Sequence, residues 1–163
     1  MSMDLTDKVA LVTGGSRGIG AATALELAEA GAHIAITSRS DSEEARETCR
    51  KIEETGRTAL HITGDMAKKA ECVRAVSETV EGLGRLDVLI HNAGGNVPGS
   101  LEDEDIEERW YYAFDVHVHA ALHLARAGVP YIRKNGEGAI VLLASIAGLR
   151  GLVGMLPYTT VKG

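Results

Sequence analysis

Two side chains close to the end of this 163-residue sequence have the spacing of an acid/base pair. Tyr158 and Lys162 are four residues apart, so on a helix they share one face and the lysine ammonium lies near the phenol. A nearby cation favours the phenolate form, which suits a general acid/base at neutral pH. Tyr158 is therefore a candidate proton donor. A helix-surface pair without chemistry has the same spacing.

A glycine-rich stretch near the other end of the chain, TGGSRGIG from Thr13 to Gly20, predicts a phosphate-binding loop. Its GxxxGxG spacing fits neither the GxGxxG dinucleotide pattern nor the P-loop. The stretch follows an apolar run and opens a helical pattern, so free N–H groups at the helix N-terminus suit a pyrophosphate. The residues expected at the cofactor are Gly14, Ser16, Arg17, Gly18, Ile19 and Gly20. The alternative is that the glycines only make a tight turn and allow close packing.

The end of the second predicted strand, Thr37-Ser38-Arg39-Ser40, indicates which dinucleotide binds. An acid at this position would bond the ribose 2′-hydroxyl of NAD, whereas an arginine suits a 2′-phosphate. Arg17 could supply a second cation, and Asp41 is expected to start a helix. The sequence thus predicts NADP(H) ahead of NAD(H), with Ser38 and Arg39 at the 2′-phosphate. The alternative is that Arg39 is a solvated loop charge.

These candidates lie within a regular alternation of strands and helices. Five apolar strand patterns, KVALVTGG, HIAITS, TALHIT, RLDVLIHNAGG and GAIVLLAS, are separated by helical patterns that end near Gly31, Gly56, Gly82 and Arg133. The alternation predicts an α/β fold with a doubly wound parallel sheet of the Rossmann type, as one dinucleotide-binding domain over residues 1–163.

In such a sheet, ligands bind beyond the carboxyl ends of the strands. The stretches TGGSRGIG, HNAGG and SIAG each follow a strand, so they are expected to meet at one edge. Ser145 ends the fifth strand there, where its hydroxyl could hold a substrate carbonyl. The alternative is a serine that caps a turn.

Composition excludes several classes of protein. The net charge of -6 without a basic cluster argues against nucleic acid and anionic membranes as partners. No signal-peptide pattern or membrane-length apolar run is present, so a cytoplasmic location is expected.

Cys49 and Cys72 lack metal or disulfide spacing and are interpreted as reduced thiols. His119 and His123 are one turn apart but have no evident third ligand, so no metal is expected.

Together these motifs resemble the short-chain dehydrogenase/reductase family. The resemblance rests on TGGSRGIG, Asp65-Met66 after the third strand, Asn92-Ala93-Gly94 after the fourth, Ser145 thirteen residues before Tyr158, and Tyr158-x-x-x-Lys162. It covers the chain from the first strand to its last residue and implies an NADP-dependent oxidoreductase that acts on a carbonyl or secondary alcohol, in a homo-oligomer.

The resemblance also implies roles for individual residues. Tyr158 would exchange a proton with the substrate oxygen, Ser145 would position that oxygen, and Lys162 would bond the nicotinamide ribose. Asp65 and Met66 would lie at the adenine. Asn92, Ala93 and Gly94 would lie near the cofactor ribose.

Two features depart from the family pattern. His117, in Val116-His117-Val118-His119-Ala120, occupies the position of an asparagine that helps hold a water in the proton relay, and histidine could also serve there. Family members also continue beyond the position of Gly163, which leads us to expect an N-terminal portion without the substrate-side segment.

This ending leads to further expectations. A helix of about one turn should hold Tyr158 and Lys162 poorly. The fifth strand, Gly138 to Ser145, should expose an apolar edge with Ile140–Leu143, so that the isolated chain self-associates and is essentially inactive. The acidic run after Ser100 should begin the long helix that extends to Arg133. The alternatives to the enzyme are a nucleotide-binding module or interaction chain without turnover, and a purely structural α/β domain.

Overall fold

The computed structural model describes residues 4–163, and its centre is a five-stranded parallel sheet. The strands are β1 (Val9–Thr13), β2 (His33–Ser38), β3 (Ala59–Thr63), β4 (Val88–His91) and β5 (Ala139–Leu142). Their order is β3-β2-β1-β4-β5, and each neighbouring pair is parallel. The chain therefore reverses its direction of winding between β1 and β4. The predicted doubly wound α/β sheet is confirmed.

Helices cover both faces of the sheet. The helices are α1 (Gly18–Glu29), α2 (Glu43–Glu54), α3 (Lys69–Leu83), α4 (Ile106–Phe114), α5 (Ala120–Lys134) and α6 (Leu156–Lys162). Of these, α1 and α2 pack on one face of the sheet, and α3 and α5 pack on the other. A π-helical turn, Asp115–His119, joins α4 to α5, and a 3-10 turn, Ile146–Gly148, follows β5. In the part of the chain that the structure describes, no helix is both long and apolar enough to cross a membrane.

Alternate residues of the strands build two apolar cores, because successive side chains point to opposite faces of a sheet. On one face, Val12 and Ile36 pack with Ile52 of α2. On the other face, Leu11 packs with Val76 of α3. This arrangement fixes the strand register and leaves the carboxyl ends of the strands free for a site.

The acidic run after Ser100 does not begin a helix, contrary to the prediction. The Ser100 N–H donates to Asp103 Oδ2 over 3.0 Å, and Ser100 Oγ accepts from the Glu102 N–H over 3.2 Å. These local bonds form a turn instead, as short polar side chains favour. Helix α4 begins only at Ile106.

The outermost strand of the described sheet, β5, carries exposed apolar side chains. It ends at Leu142, not at Ser145 as predicted, and all four of its residues are exposed. Val141 is 46% exposed and Leu142 is 55% exposed, whereas Leu143 turns back and packs against the core. The predicted apolar edge is therefore present over Ala139–Leu142.

Candidate active site at the carboxyl edge of the sheet

A cleft of about 680 Å³ lies along the carboxyl edge, within the size range of small-molecule and cofactor sites. It reaches the ends of β1, β2, β3 and β4. Of the residues expected at the cofactor, those that line it are Gly14, Ser16, Arg17, Gly18, Ile19, Ser38, Arg39, Asp65, Met66, Asn92, Ala93 and Gly94. The topology thus brings together motifs that are far apart in the sequence.

The glycines of the first loop have different structural roles. Gly14 and Gly18 have φ of +65° and +57°, a region that favours glycine, and Gly18 faces open space. Gly20 does not line the cleft. It is buried in α1, where a Cβ would overlap the carbonyl oxygen of Gly14. Gly20 therefore permits close packing of helix on loop, the alternative that sequence analysis had left open for the glycines.

Asn92 holds the glycine loop in place. Its Nδ2 donates to Thr13 O over 3.0 Å and to Gly14 O over 2.9 Å. The Thr13 hydroxyl oxygen in turn accepts from the backbone N–H groups of Asn92 and Ala93, over 3.2 and 3.0 Å. Because these bonds join the ends of β1 and β4, the two loops form one rigid floor beneath the cleft.

His91, which sequence analysis missed, connects this floor to the long helices. Its Nδ1 lies 3.0 Å from Thr13 Oγ1 and its Nε2 lies 3.2 Å from Val116 O. Burial lowers the pKa of His91 to about 4, so the imidazole is neutral at pH 7. Its Nε2–H then donates to Val116 O, and its Nδ1 accepts from the Thr13 hydroxyl. In the sequence, the signal for His91 is that a polar residue ends the apolar strand VLIH.

The π-helical turn explains how the Val116 carbonyl can accept a hydrogen bond from His91. The Ala120 N–H bonds to Asp115 O, five residues earlier, and not to Val116 O, four residues earlier as in an α-helix. Val116 O is thereby released from that helical bond and accepts from His91. Single π turns of this kind are frequent at functional sites.

His117 lies in the same turn and faces the loop after β4. Its Nε2 is 3.1 Å from Gly95 O, so the Nε2–H donates to that carbonyl. Burial first, and the Lys162 ammonium second, lower the pKa of His117 and keep its ring neutral. The buried Nδ1 is then an acceptor, and it has no partner among residues 4–163.

Tyr158 and Lys162 share the inner side of α6. Lys162 Nζ lies 5.9 Å from the centroid of the Tyr158 ring and donates to Leu143 O over 2.6 Å. Burial lowers the pKa of Lys162. The expectation that the two are poorly held is not met in the structure, because α6 has seven residues, Pro157 is buried and Lys162 is anchored to Leu143.

Ser145 lies three residues beyond the end of β5, not at the end of the strand as predicted, and its hydroxyl caps a turn. The Ser145 Oγ accepts from the Ala147 N–H over 3.1 Å and begins the 3-10 turn. Its hydroxyl proton is left for another acceptor. The structure therefore shows the turn-capping alternative, which still allows the hydroxyl to donate.

A family model for short chain dehydrogenases matches residues 8–163. The chain belongs to the short-chain dehydrogenase family. It is 35% identical over 159 residues to general stress protein 39 of Bacillus subtilis, covering 98% of this chain and 55% of that protein. It is 39% identical over 160 residues to an uncharacterized oxidoreductase of Thermotoga maritima, covering 98% and 62%. The chain therefore spans about 55–62% of the length of these curated relatives.

Solved structures of the family superpose closely on this chain. L-sorbose reductase from Gluconobacter frateurii, complexed with NADPH and L-sorbose, has a TM-score of 0.92 at 34% identity, covering 99% of this chain and 61% of that one. The NADH-dependent reductase A1-R', complexed with NAD, has a TM-score of 0.92 at 33% identity, covering 99% and 70%. The same fold thus occurs with both dinucleotides.

Neither cysteine lines the cleft, nor does either member of the pair His119 and His123. Cys49 and Cys72 are free, and burial raises the pKa of the Cys72 thiol to about 11. His119 Nδ1 lies 2.8 Å from Asp115 Oδ1, an interaction within the helix. Over the described range 4–163, no group of three or more His, Cys, Asp or Glu side chains has the arrangement of a metal site.

Proposed function

We propose that this chain binds NADP(H) in the cleft and supplies the acid/base groups for hydride transfer to or from a carbonyl or secondary alcohol. The observation that carries this proposal is that a single cleft is lined by both the glycine loop and the Ser38-Arg39 turn. The dinucleotide, when bound, supplies or accepts the hydride. The chain's own residues bind it, orient the substrate and move the proton.

The glycine loop fits a pyrophosphate. Helix α1 begins at Gly18, and the side chain of its N-cap residue, Arg17, makes no capping hydrogen bond. These donors and the positive end of the helix suit an anion. A Cβ on Gly18 would meet no atom within 4 Å, which leaves its surroundings open to a ligand.

The end of β2 supports a 2′-phosphate. Arg39 lines the cleft together with Arg17. Asp41 is not among the lining residues, and its carboxylate is engaged by Arg46 over 2.8 Å. The acid nearest to the strand tip is thus occupied elsewhere, while two guanidinium groups remain at the cleft.

One observation favours NAD(H) as the second candidate. Glu44, in the first turn of α2, also lines the cleft. Its own backbone N–H and the Ser42 side chain lower its pKa, so the carboxylate is charged at neutral pH. A charged carboxylate can accept from a ribose 2′-hydroxyl and repels a 2′-phosphate. The repulsion of a 2′-phosphate by Glu44 and its attraction to the two arginines together set the cofactor preference. We propose that the attraction is the stronger of the two.

The acid/base step is assigned to the cluster of Tyr158, Lys162 and His117. Tyr158 exchanges its phenolic proton with the substrate oxygen, which Ser145 orients through its free hydroxyl proton. Lys162 holds a positive charge beside the phenol. His117 Nδ1, a buried acceptor, accepts a hydrogen bond from the water of the proton relay. The family resemblance implies an asparagine in this role.

Titration with NADPH and NADH, followed by cofactor fluorescence, tests the binding part of the proposal. We expect tighter binding of NADPH in the unmodified chain. A panel of aldehydes and ketones added to the NADPH complex separates an enzyme from a binding module, because only the enzyme oxidises the cofactor. Absence of binding to either dinucleotide contradicts the proposal and favours a structural domain.

A further inference from the structure

A second polar cluster lies behind the Ser38-Arg39 turn, outside the cleft. His61 is in β3, in register with Ile36 of β2. Its Nε2 is 2.7 Å from Ser38 Oγ, and its Nδ1 is 3.9 Å from Asp41 Oδ1. The His61 side chain is only 15% exposed. This histidine belongs to none of the sequence motifs described above.

The direction of the hydrogen bonds follows from the partners of Ser38. Its hydroxyl lies 2.7 Å from Ser40 O, a carbonyl that can only accept, so the Ser38 proton goes there. Ser38 Oγ must then accept from His61, and His61 Nε2 carries a hydrogen. The order serine, histidine, aspartate resembles a hydrolase triad, but here the histidine donates to the serine and does not deprotonate it.

These two bonds fix a turn that belongs to the cleft. Ser38, Arg39 and Ser40 all line it, whereas His61 does not. The backbone of the turn is also held from β3, since the Gly64 N–H donates to Ser38 O over 2.8 Å. The hydrogen bonds from His61 to Ser38 and from Ser38 to Ser40 O therefore close the turn around Arg39. The Arg39 guanidinium has no ion-pair partner among residues 4–163.

We propose that His61 is a positioning residue for the adenosine 2′ group: by donating to Ser38, it holds the Ser38–Ser40 turn in the shape that presents Arg39 to a 2′-phosphate. The inference rests on the proposed NADP preference and names a residue that determines it without touching the cofactor. Because the pyrophosphate and nicotinamide parts bind elsewhere in the cleft, loss of His61 affects recognition of the 2′-phosphate selectively.

Calorimetric titration with two cofactor fragments tests the inference without turnover. Adenosine 2′,5′-bisphosphate carries the 2′-phosphate, and adenosine 5′-monophosphate lacks it. We expect His61→Leu to weaken binding of the bisphosphate by about fivefold to tenfold, the effect of one lost hydrogen bond. Binding of the monophosphate should change by less than about twofold, since it has no 2′-phosphate for Arg39 to contact. His61→Gln keeps an N–H donor and should restore most of the affinity.

Ser38→Ala provides a second variant, because it removes the bond from His61 together with the bond to Ser40 O. We expect a loss at least as large as that of His61→Leu, and adding His61→Leu to Ser38→Ala should cause no further loss. His33→Leu is the matched control. His33 lies at the opposite end of β2 and accepts from the Thr58 N–H over 2.9 Å, so its loss should leave both affinities unchanged.

The outcomes separate the inference from the function on which it rests. Equal affinity of the unmodified chain for the two fragments overturns both the NADP preference and the role of His61. A preference for the bisphosphate that His61→Leu leaves intact overturns the role of His61 alone. Equal weakening of both fragments, or failure of His61→Gln to restore binding, also overturns it. Should His61→Leu not fold, Ser38→Ala and His61→Gln decide in the same way.

Discussion

His117 and Tyr158 pack edge to face, with their ring centroids 5.7 Å apart. The contact brings the π-helical turn against α6 and places a neutral imidazole beside the candidate proton donor. The resemblance to the family implies an asparagine at the position of His117. The pair therefore lets the roles of the two rings be tested separately.

Tyr158→Phe should abolish turnover with a carbonyl substrate and leave the Kd for NADPH nearly unchanged, because only the proton donor is lost. His117→Asn should retain activity within about tenfold, since an amide can also donate to Gly95 O and accept from a water. Steady-state kinetics and fluorescence titration of both variants make the comparison. If His117→Asn is as inactive as Tyr158→Phe, the imidazole does chemistry that an asparagine cannot, and the relay assignment is wrong.

Gly94→Ala should destabilise the site. Gly94 has φ of +141°, and a Cβ there would overlap the His117 ring. We expect a loss of about 1–3 kcal/mol in the free energy of unfolding, together with weaker NADPH binding. Gly95→Ala is the control, because a Cβ at Gly95 would meet no atom within 4 Å. Urea unfolding curves of the two variants should differ clearly, and matching curves would contradict the close approach of His117 to Gly94.

Charge at the end of β2 should decide the choice of cofactor. Arg39→Asp should reverse or erase the preference for NADPH, because it exchanges an attraction for a repulsion at the 2′-phosphate. Glu44→Gln should strengthen NADPH binding and weaken NADH binding. The ratio of the two Kd values, measured at fixed ionic strength, is the readout. Equal binding of both cofactors by the unmodified chain would contradict the NADPH preference, and variants that leave the ratio unchanged would show that neither residue controls the 2′ position.

His91 should make the fold less stable in acid. Burial lowers the pKa of His91 to about 4, below the ordinary value of 6.5. Between these two values the unfolded chain binds more protons than the folded one, so this contribution to stability is complete above pH 6.5 and is lost as the pH falls towards 4. The expected slope is up to about 1.4 kcal/mol per pH unit.

Urea unfolding of the unmodified chain and of His91→Gln, between pH 4.5 and 7.5, measures that slope. The variant should show a shallower dependence on pH, whatever its stability at pH 7. His33→Gln, at an accessible position on the opposite edge of the sheet, should keep the slope of the unmodified chain. Parallel curves for His91→Gln and the unmodified chain would show that His91 does not titrate as described.

The exposed side chains of β5 should cause self-association of this chain. Val141→Glu adds a charge to the edge strand and should shift the chain towards monomer in sedimentation experiments. Val73→Glu, on α3, changes an apolar side chain of almost equal exposure, 45% against 46%, and should leave association unchanged. A monomeric unmodified chain would contradict the expected association.

Local patterns in the sequence were enough to predict the parallel sheet and the position of the cleft. Strand and helix periodicity, with glycines after β1 and β4, depends on short stretches, and a parallel sheet necessarily brings the carboxyl ends of its strands to one edge. The glycine loop and Arg39 were therefore found without coordinates. The same reasoning failed at Ser100, where hydrogen bonds within a turn compete with the start of a helix.

Tertiary structure alone decided which polar groups share hydrogen bonds. His91 reaches Thr13 and Val116, and His61 reaches Ser38, only because strand register and the π-helical turn bring distant segments within about 3 Å of each other. Hydrogen bonds depend on distance and angle to a fraction of an ångström, whereas hydrophobic periodicity does not. For that physical reason the sequence determined the fold and the cleft, and the folded chain determined the partners of its histidines.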